Sequence, residues 1–434
     1  MERPKYLEQL IHSQWNGFPK VITGIRRCGK SYLLKEIFKS YLMEKGVPET
    51  EILILELDDA KNEAFRNPLA LNSHIMSLCK DKSRKYYVFI DEVQRVYTIV
   101  NTALTGGKIV LAKESDKEVV SFVDVILGLS HETNIDLYVT GSNSKLLSSD
   151  IITEFRDKAT EIHMAPLSFK EFYTNSHMEK QEALYEFMQH GGMPLAVLKD
   201  MDEKESYLKE LFKTTYFKDI LERKKIRKVE ALDELCTILS TCTGELLNSE
   251  KIANTFLSRR KEKIDKETVN TYINAFIDAF IIREAKRYDV KGRGIINSTR
   301  KYYFTDPGLR NARLDFIYPD EGQILENILY NELIYNGYNV NVGSLDTVEK
   351  DKEGKSRRVS YEIDFIATKN KQSMYLQIAE NINRSSTKNR EIRPFILLND
   401  QIQKYLIINR PIKPTKDENG FDVVGVADFL LNLN

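Results

Sequence analysis

Residues 21–34 read VITGIRRCGKSYLL, in which Gly24, four residues, and then Gly29-Lys30-Ser31 satisfy the spacing G-x-x-x-x-G-K-[ST]. Such a spacing can cradle phosphate. Glycines let backbone N–H groups turn inward, and a helix opening after the loop adds its partial positive charge. The run VITG has strand character and SYLLKEI helical character, so the loop stands between the two elements this chemistry needs. Lys30 is then the group that reaches the outer phosphates, and Ser31 the one that offers a hydroxyl to magnesium. A glycine turn with a lysine nearby is the bland alternative, and the strand–loop–helix context speaks against it. The candidate nucleotide-binding set is Gly24, Arg27, Cys28, Gly29, Lys30, Ser31 and Tyr32. Arg26 and Arg27 either touch phosphate or anchor the loop on carboxylates such as Asp58 and Asp59. Cys28 reads as a small filler.

Two further strand ends carry polar groups. KYYVFIDEVQ places Asp91 and Glu92 after an apolar run. Asp91 is the candidate magnesium carboxylate, with Ser31, and Glu92 the candidate group that orients or deprotonates the attacking water. An acidic pair there also suits a helix N-cap. LYVTGSNS ends in Thr140, Ser142 and Asn143, and Asn143 is the candidate for holding water against the γ-phosphate, because an amide both donates and accepts. A Gly-Ser-Asn turn would explain the same residues without a nucleotide. Together these groups point to ATP and Mg2+ as cofactors, with Lys30, Glu92 and Asn143 in catalysis.

Those residues must be positioned by a sheet. Apolar runs at 19–25, 51–57, 85–91 and 134–142 are short and rich in β-branched or aromatic residues, and helix-length segments separate them. This alternation predicts a parallel α/β sheet. Residues 101–118 read as an inserted hairpin or mobile loop. From about 170 to 285 the apolar spacing becomes three and four, as in amphipathic helices. Helices followed by the strand-like IIREAKRYD and RKYYFTD predict a winged helix-turn-helix. After Asp306-Pro307-Gly308 the pattern returns to α/β. His190-Gly191-Gly192-Met193-Pro194 reads most simply as a helix stop, with a lid hinge as the other reading.

With 434 residues, 42% of them hydrophobic and 29% charged, the chain is globular and long enough for several cores. Its 64 basic residues balance 64 acidic ones, so no overall field selects a polyanion. Cys28, Cys79, Cys236 and Cys242 show no metal or disulfide spacing, no apolar run is long enough for a membrane span, and the reading is cytoplasmic.

In order, GIRRCGKSYLL, FIDEVQRV, LYVTGSNSKLLSSDI, FRDKATEIHMAPLSFKEF, HGGMP, KYYFTDPGLR and GQILENILYNEL resemble the AAA-type P-loop ATPases of bacteria and archaea that carry a C-terminal nuclease-like domain of unknown function. The resemblance implies a P-loop ATPase core (1–170), a helical lid (171–225), a winged helix (226–312) and a restriction-endonuclease-like α/β domain (313–434). Where that family is similar to F-R-G-R-G, this chain has Phe155-Arg156-Asp157-Lys158-Ala159. Arg156 is therefore the candidate arginine finger, with a surface ion pair as its alternative, and Lys158 cannot form the bidentate contact of an arginine.

Nucleases of that fold need a helix acid, a strand aspartate and Glu-x-Lys on the next strand. Glu326 and Asp364 fit the first two, but Gln377 and Ala379 stand where Glu and Lys are required. Glutamine is a weak magnesium ligand and alanine carries no charge, so the expectation is a degenerate domain rather than an active metal-dependent nuclease. Basic runs at 222–228, 258–263 and 286–294 leave DNA binding and protein binding both open, along with oligomerisation. The functional expectation is Mg-dependent ATP hydrolysis coupled to domain movement on DNA or a protein partner. The alternative is a nucleotide-responsive scaffold with little hydrolysis.

Overall fold

The computed structural model describes all residues except 114, 142–157, 219, 222–225, 227, 261–263, 318–319, 351–354, 380–384, 399 and 434. It divides into two compact units, Met1–Ala165 and Pro166–Asn434.

In the first unit, α1 (Pro4–Ser13) precedes β1 (Lys20–Thr23), and α2 (residues 30–44) follows the glycine loop, with its middle turn Leu33–Phe38 wound as π-helix. Next come β2 (Ile52–Glu56), α3 (Pro68–Leu78) and β3 (Tyr86–Asp91). The Asn67 side chain caps α3 by accepting the Leu69 and Ala70 N–H groups. The insertion is a short antiparallel ribbon, β4 (Ile99–Val100) with β5 (Val119–Val120). Then α4 (Phe122–Ser130), held by a Ser121–Asp124 capping box, leads to β6 (Ile135–Thr140) and β7 (Thr160–His163).

All five main strands are parallel, in the order β2-β3-β6-β1-β7. β1, β3 and β6 are buried along their whole length, which is why each reads as a continuous apolar run. One face packs Leu71, Ile75, Phe122 and Ile126 against Val88, Ile90 and Leu137. The other carries an aromatic cluster of Phe38, Phe89 and Tyr138. Because β6 lies between β1 and β3, the strand ends at Thr23, Asp91 and Thr140 come side by side.

The second unit starts with α5 (Phe169–Ser176), α6 (Lys180–His190) and α7 (Met201–Glu210). Three helices, α8 (Val229–Thr241), α9 (Ser249–Arg260) and α10 (Lys266–Asp278), are followed by an antiparallel hairpin of β8 (Ile282–Asp289) and β9 (Gly294–Phe304). α11 (Pro307–Arg313) and α12 (Glu321–Tyr335) lead to a meander of β10 (Asn339–Lys350), β11 (Ser356–Lys369) and β12 (Gln372–Ala379). α13 (Ser385–Leu397) crosses to β13 (Gln403–Ile408), which is parallel to β12. β14 (Thr415–Lys416), β15 (Asp422–Gly425) and α14 (Val426–Asn432) complete the chain. β8 also pairs in parallel with β10, so the hairpin and the later strands form one eight-stranded mixed sheet.

The HGGMP turn is docked rather than free. Asp306 accepts the Gly192 N–H at 2.7 Å and the Leu309 N–H at 3.1 Å. Asn311 donates to the carbonyls of Met188 and Gln189, each at 2.9 Å. A Cβ on Gly308 would stand 2.1 Å from the His190 carbonyl oxygen, so glycine is required for this approach.

Candidate nucleotide site

The loop between β1 and α2 is shaped by its glycines. Gly24 has φ +138° and Gly29 φ +100°, both in the region that favours glycine. A Cβ on Gly24 would stand 2.1 Å from the Met164 carbonyl oxygen, so the loop also needs glycine for space. Arg27 takes φ 64° and is exposed, Cys28 is buried, and Tyr32 is half exposed. Lys30 is buried, and its Nζ donates to the carbonyls of Gly24 and Ile25 at 2.9 Å each. Its ammonium therefore lies inside the loop that it would serve.

The acidic strand end faces this loop. Ser31 Oγ donates to Asp91 Oδ1 at 2.9 Å, and the Thr140 hydroxyl also donates to Asp91. Thr140 in turn accepts the Glu92 N–H at 3.1 Å, so one hydroxyl fixes both acids. Glu92 sits at φ 55°, an uncommon conformation for a non-glycine residue and one that concentrates at functional sites. Its carboxylate accepts from the Gln94 side chain. On the far side of β1, burial pushes the Glu161 carboxyl up, and the Thr23 hydroxyl beside it counters that shift.

The structure thus brings together Lys30, Ser31, Asp91 and Glu92. Asn143 and Arg156 lie outside the described residues, whereas Lys158 is described and exposed. The Asp59 side chain accepts the Lys61 N–H at 3.0 Å and starts a 3-10 turn. Arg3 was missed by the sequence reading. Its buried guanidinium donates to the Cys28 carbonyl at 3.2 Å and to the Ala165 carbonyl at 2.8 Å. Tyr6 Oη accepts the Ala165 N–H at 2.8 Å, so the start of the chain holds both the loop and the exit from β7.

In the second unit, Glu326 and Asp364 also come together, but around a lysine that no sequence pattern indicated. Lys301 on β9 lies 2.8 Å from Glu326. Burial pushes Asp364 well above the usual carboxylate range, with the Glu326 charge adding to it, and burial raises Glu326 as well. Burial lowers Lys301, but the carboxylates of Glu326, Glu362 and Asp364 outweigh it and hold the ammonium above its ordinary value. Gln377 is buried on β12, Ala379 is buried at its end, and Glu380 lies outside the described residues. Of the basic runs, the hairpin tip Lys291-Gly292-Arg293 is exposed, and most of 222–228 lies outside the described residues.

Residues 16–173 match the family model described as an AAA domain, and residues 181–319 match a domain of unknown function (DUF8612). An uncharacterized protein of Haemophilus influenzae is 30% identical over 99% of this chain and 98% of its own length. The uncharacterized protein MJ1544 of Methanocaldococcus jannaschii is 28% identical, over 94% and 84%. Among solved structures, Cdc6p from Pyrobaculum aerophilum is similar at 11% identity, covering 76% of this chain and 94% of that one, with a TM-score of 0.29. AMPPCP-bound DnaA from Aquifex aeolicus is similar at 14% identity, over 63% and 86%, with a TM-score of 0.30. Among the described residues, no helix is long and apolar enough to cross a membrane.

Proposed function

Because this chain belongs to the family of AAA-domain proteins that includes the H. influenzae relative, we propose that its first unit binds and hydrolyses ATP with magnesium and that hydrolysis moves the second unit. The observation that carries this reading is the convergence of Lys30, Ser31, Asp91, Thr140 and Glu92 at the C-terminal ends of β1, β3 and β6. Ligands of open parallel sheets bind at that edge.

The donor set fits magnesium, since Ser31 Oγ and Asp91 Oδ1 are hard oxygens already 2.9 Å apart. When bound, the ion neutralises charge on the β- and γ-oxygens. Lys30 turns from the loop carbonyls to the outer phosphates, and the loop N–H groups hold the phosphate chain. Glu92, fixed through its backbone by Thr140, orients the attacking water and takes its proton. Asn143 and Arg156 remain the proposed water-holding and charge-stabilising groups.

We extend the proposal to the second unit as a helical segment, a winged helix and a nuclease-like α/β domain used for binding. The α12–β10–β11–β12–α13–β13 order supports the last of these. Duplex DNA is the first partner to test, because Lys291 and Arg293 at the exposed hairpin tip suit phosphate contacts. Steady-state phosphate release tests the reading. Wild type should turn over, Lys30→Ala should neither bind nor turn over, and Glu92→Gln should bind ATP without turnover. Equal turnover in Glu92→Gln would remove the assignment of the base. Binding without turnover in wild type would favour the scaffold. Stimulation by DNA would identify the partner.

A further inference from the structure

The nuclease-like reading of the second unit, on which this inference rests, implies a divalent metal between Glu326 and Asp364, and the residues present do not fit one. Lys301 is 3% exposed, and its Nζ lies 2.8 Å from Glu326 Oε1 and 2.7 Å from Glu362 Oε1. The Tyr303 hydroxyl donates to the same Glu326 oxygen at 2.6 Å. Asp364 Oδ2 accepts the Ile378 N–H at 2.7 Å, while the Asp364 N–H donates to Gln377 Oε1 at 3.4 Å. Gln377 Nε2 donates to Glu391 at 3.2 Å. Among the described residues, no group of three or more His, Cys, Asp or Glu side chains is arranged to hold a metal ion.

One side of the cluster is covered, while the Glu362 side chain stays 37% exposed. The turn after α8 is joined to β9 by reciprocal bonds between Leu247 and Arg300, at 2.8 and 2.9 Å. Within that turn, a Cβ on Gly244 would stand 3.1 Å from Glu326 Oε2. A phosphodiester approaching Glu326 from this side meets backbone.

We propose that the Lys301 ammonium is the resident cation of this carboxylate cluster, so that the cluster is closed to divalent-metal chemistry. A buried ammonium requires paired carboxylates, and buried carboxylates require a cation. Lys301 meets both needs at hydrogen-bond distance with its three donors. Magnesium would need oxygens at about 2.0–2.1 Å in near-octahedral array, and would have to displace the ammonium first. The lysine absent from position 379 is thus supplied by another strand, where it neutralises carboxylates instead of assisting a metal.

Mn2+ uptake by the full-length chain, measured without nucleotide by isothermal titration and by thermal melting in EDTA and in MnCl2, provides the test. Wild type and Asp364→Asn should take up the same amount of Mn2+, because neither binds it at this cluster. Lys301→Met keeps the stem but removes the charge. It should melt lower than wild type by the same margin in EDTA and in MnCl2, and Lys301→Met/Glu326→Gln should recover part of the loss. Wild-type uptake that Asp364→Asn abolishes would overturn the proposal, as would Mn2+-dependent cutting of plasmid DNA lost in Asp364→Ala. A folded Lys301→Met that melts like wild type, or that recovers in MnCl2, would overturn the lysine's role as that cation. Should Lys301→Met fail to fold, the comparison of wild type with Asp364→Asn decides.

Discussion

The Arg3 guanidinium donates to the carbonyl of Cys28 at 3.2 Å, which ties the start of the chain to the middle of the glycine loop. A trans peptide unit is planar, so fixing that carbonyl toward Arg3 turns the Gly29 N–H the opposite way. A phosphate cradle depends on such outward carbonyls and inward amides. Arg3→Ala should therefore weaken ATP binding about tenfold, the loss of one charge-assisted hydrogen bond at about 1.5 kcal/mol. Arg3→Lys should recover only part of it, since lysine lacks the planar fork that reaches Cys28 and Ala165 together. Titration with a fluorescent ATP analogue measures this, with a melting curve separating lost affinity from lost folding.

Thr140 offers a different test, because it touches both acids and neither loop glycine. Thr140→Val keeps the shape but removes the hydroxyl that donates to Asp91 and accepts the Glu92 N–H. Turnover should fall about 10–100-fold, the usual cost of losing a partner that orients a reacting group. The ATP Kd should stay within about threefold, since phosphate binding is left in place. A Kd change as large as the loss of kcat would place Thr140 in nucleotide binding instead.

Legibility in the sequence followed the distance over which residues act. The glycine loop and the strand ending in Asp91 were legible because their geometry is local, with spacing, period and burial all expressed within a dozen residues. β7 was not, since TEIH is short and mixed in polarity and is a strand only through its ladder with β1. Arg3 was equally silent, because its partners lie 25 and 162 residues along the chain. Lys301 shows how this misleads. Position 379 holds alanine, but Lys301, on a strand distant in sequence, supplies a positive charge to Glu326 and Glu362.

Asp306 should make stability depend on pH in the direction opposite to most carboxylates. Burial pushes it up to about 6, although the Gly192, Leu309 and Gly308 N–H groups pull the other way. A folded-state value above the unfolded one, near 3.9, favours the neutral form in the fold. That contribution is fully present below about pH 4 and is lost as pH rises through about 6. Asp306→Asn cannot ionise, so its stability relative to wild type should rise between pH 4 and pH 7. Asp306→Ala should cost roughly 2–4 kcal/mol at pH 4, because buried amides lose their acceptor, and less at pH 7, where wild type has already lost the contribution of the neutral carboxyl. Urea unfolding at both pH values gives all three comparisons.

Gly24→Ala distinguishes a phosphate loop from a packed turn. The added methyl would lie 2.1 Å from the Met164 carbonyl oxygen, and that residue's N–H is bonded to the Thr23 carbonyl at 2.8 Å, so the clash falls on the β1–β7 ladder. The backbone at φ +138° is also strained for any residue with a Cβ. Destabilisation of about 1–3 kcal/mol should therefore accompany the loss of ATP binding. Lys30→Ala, by contrast, should lose binding while giving up only the two bonds from Nζ to the loop carbonyls. If Gly24→Ala unfolds earlier in urea yet binds ATP normally, the glycine serves packing alone. Should both variants lose binding, with only Gly24→Ala markedly destabilised, backbone shape and lysine charge are separate requirements of one phosphate site.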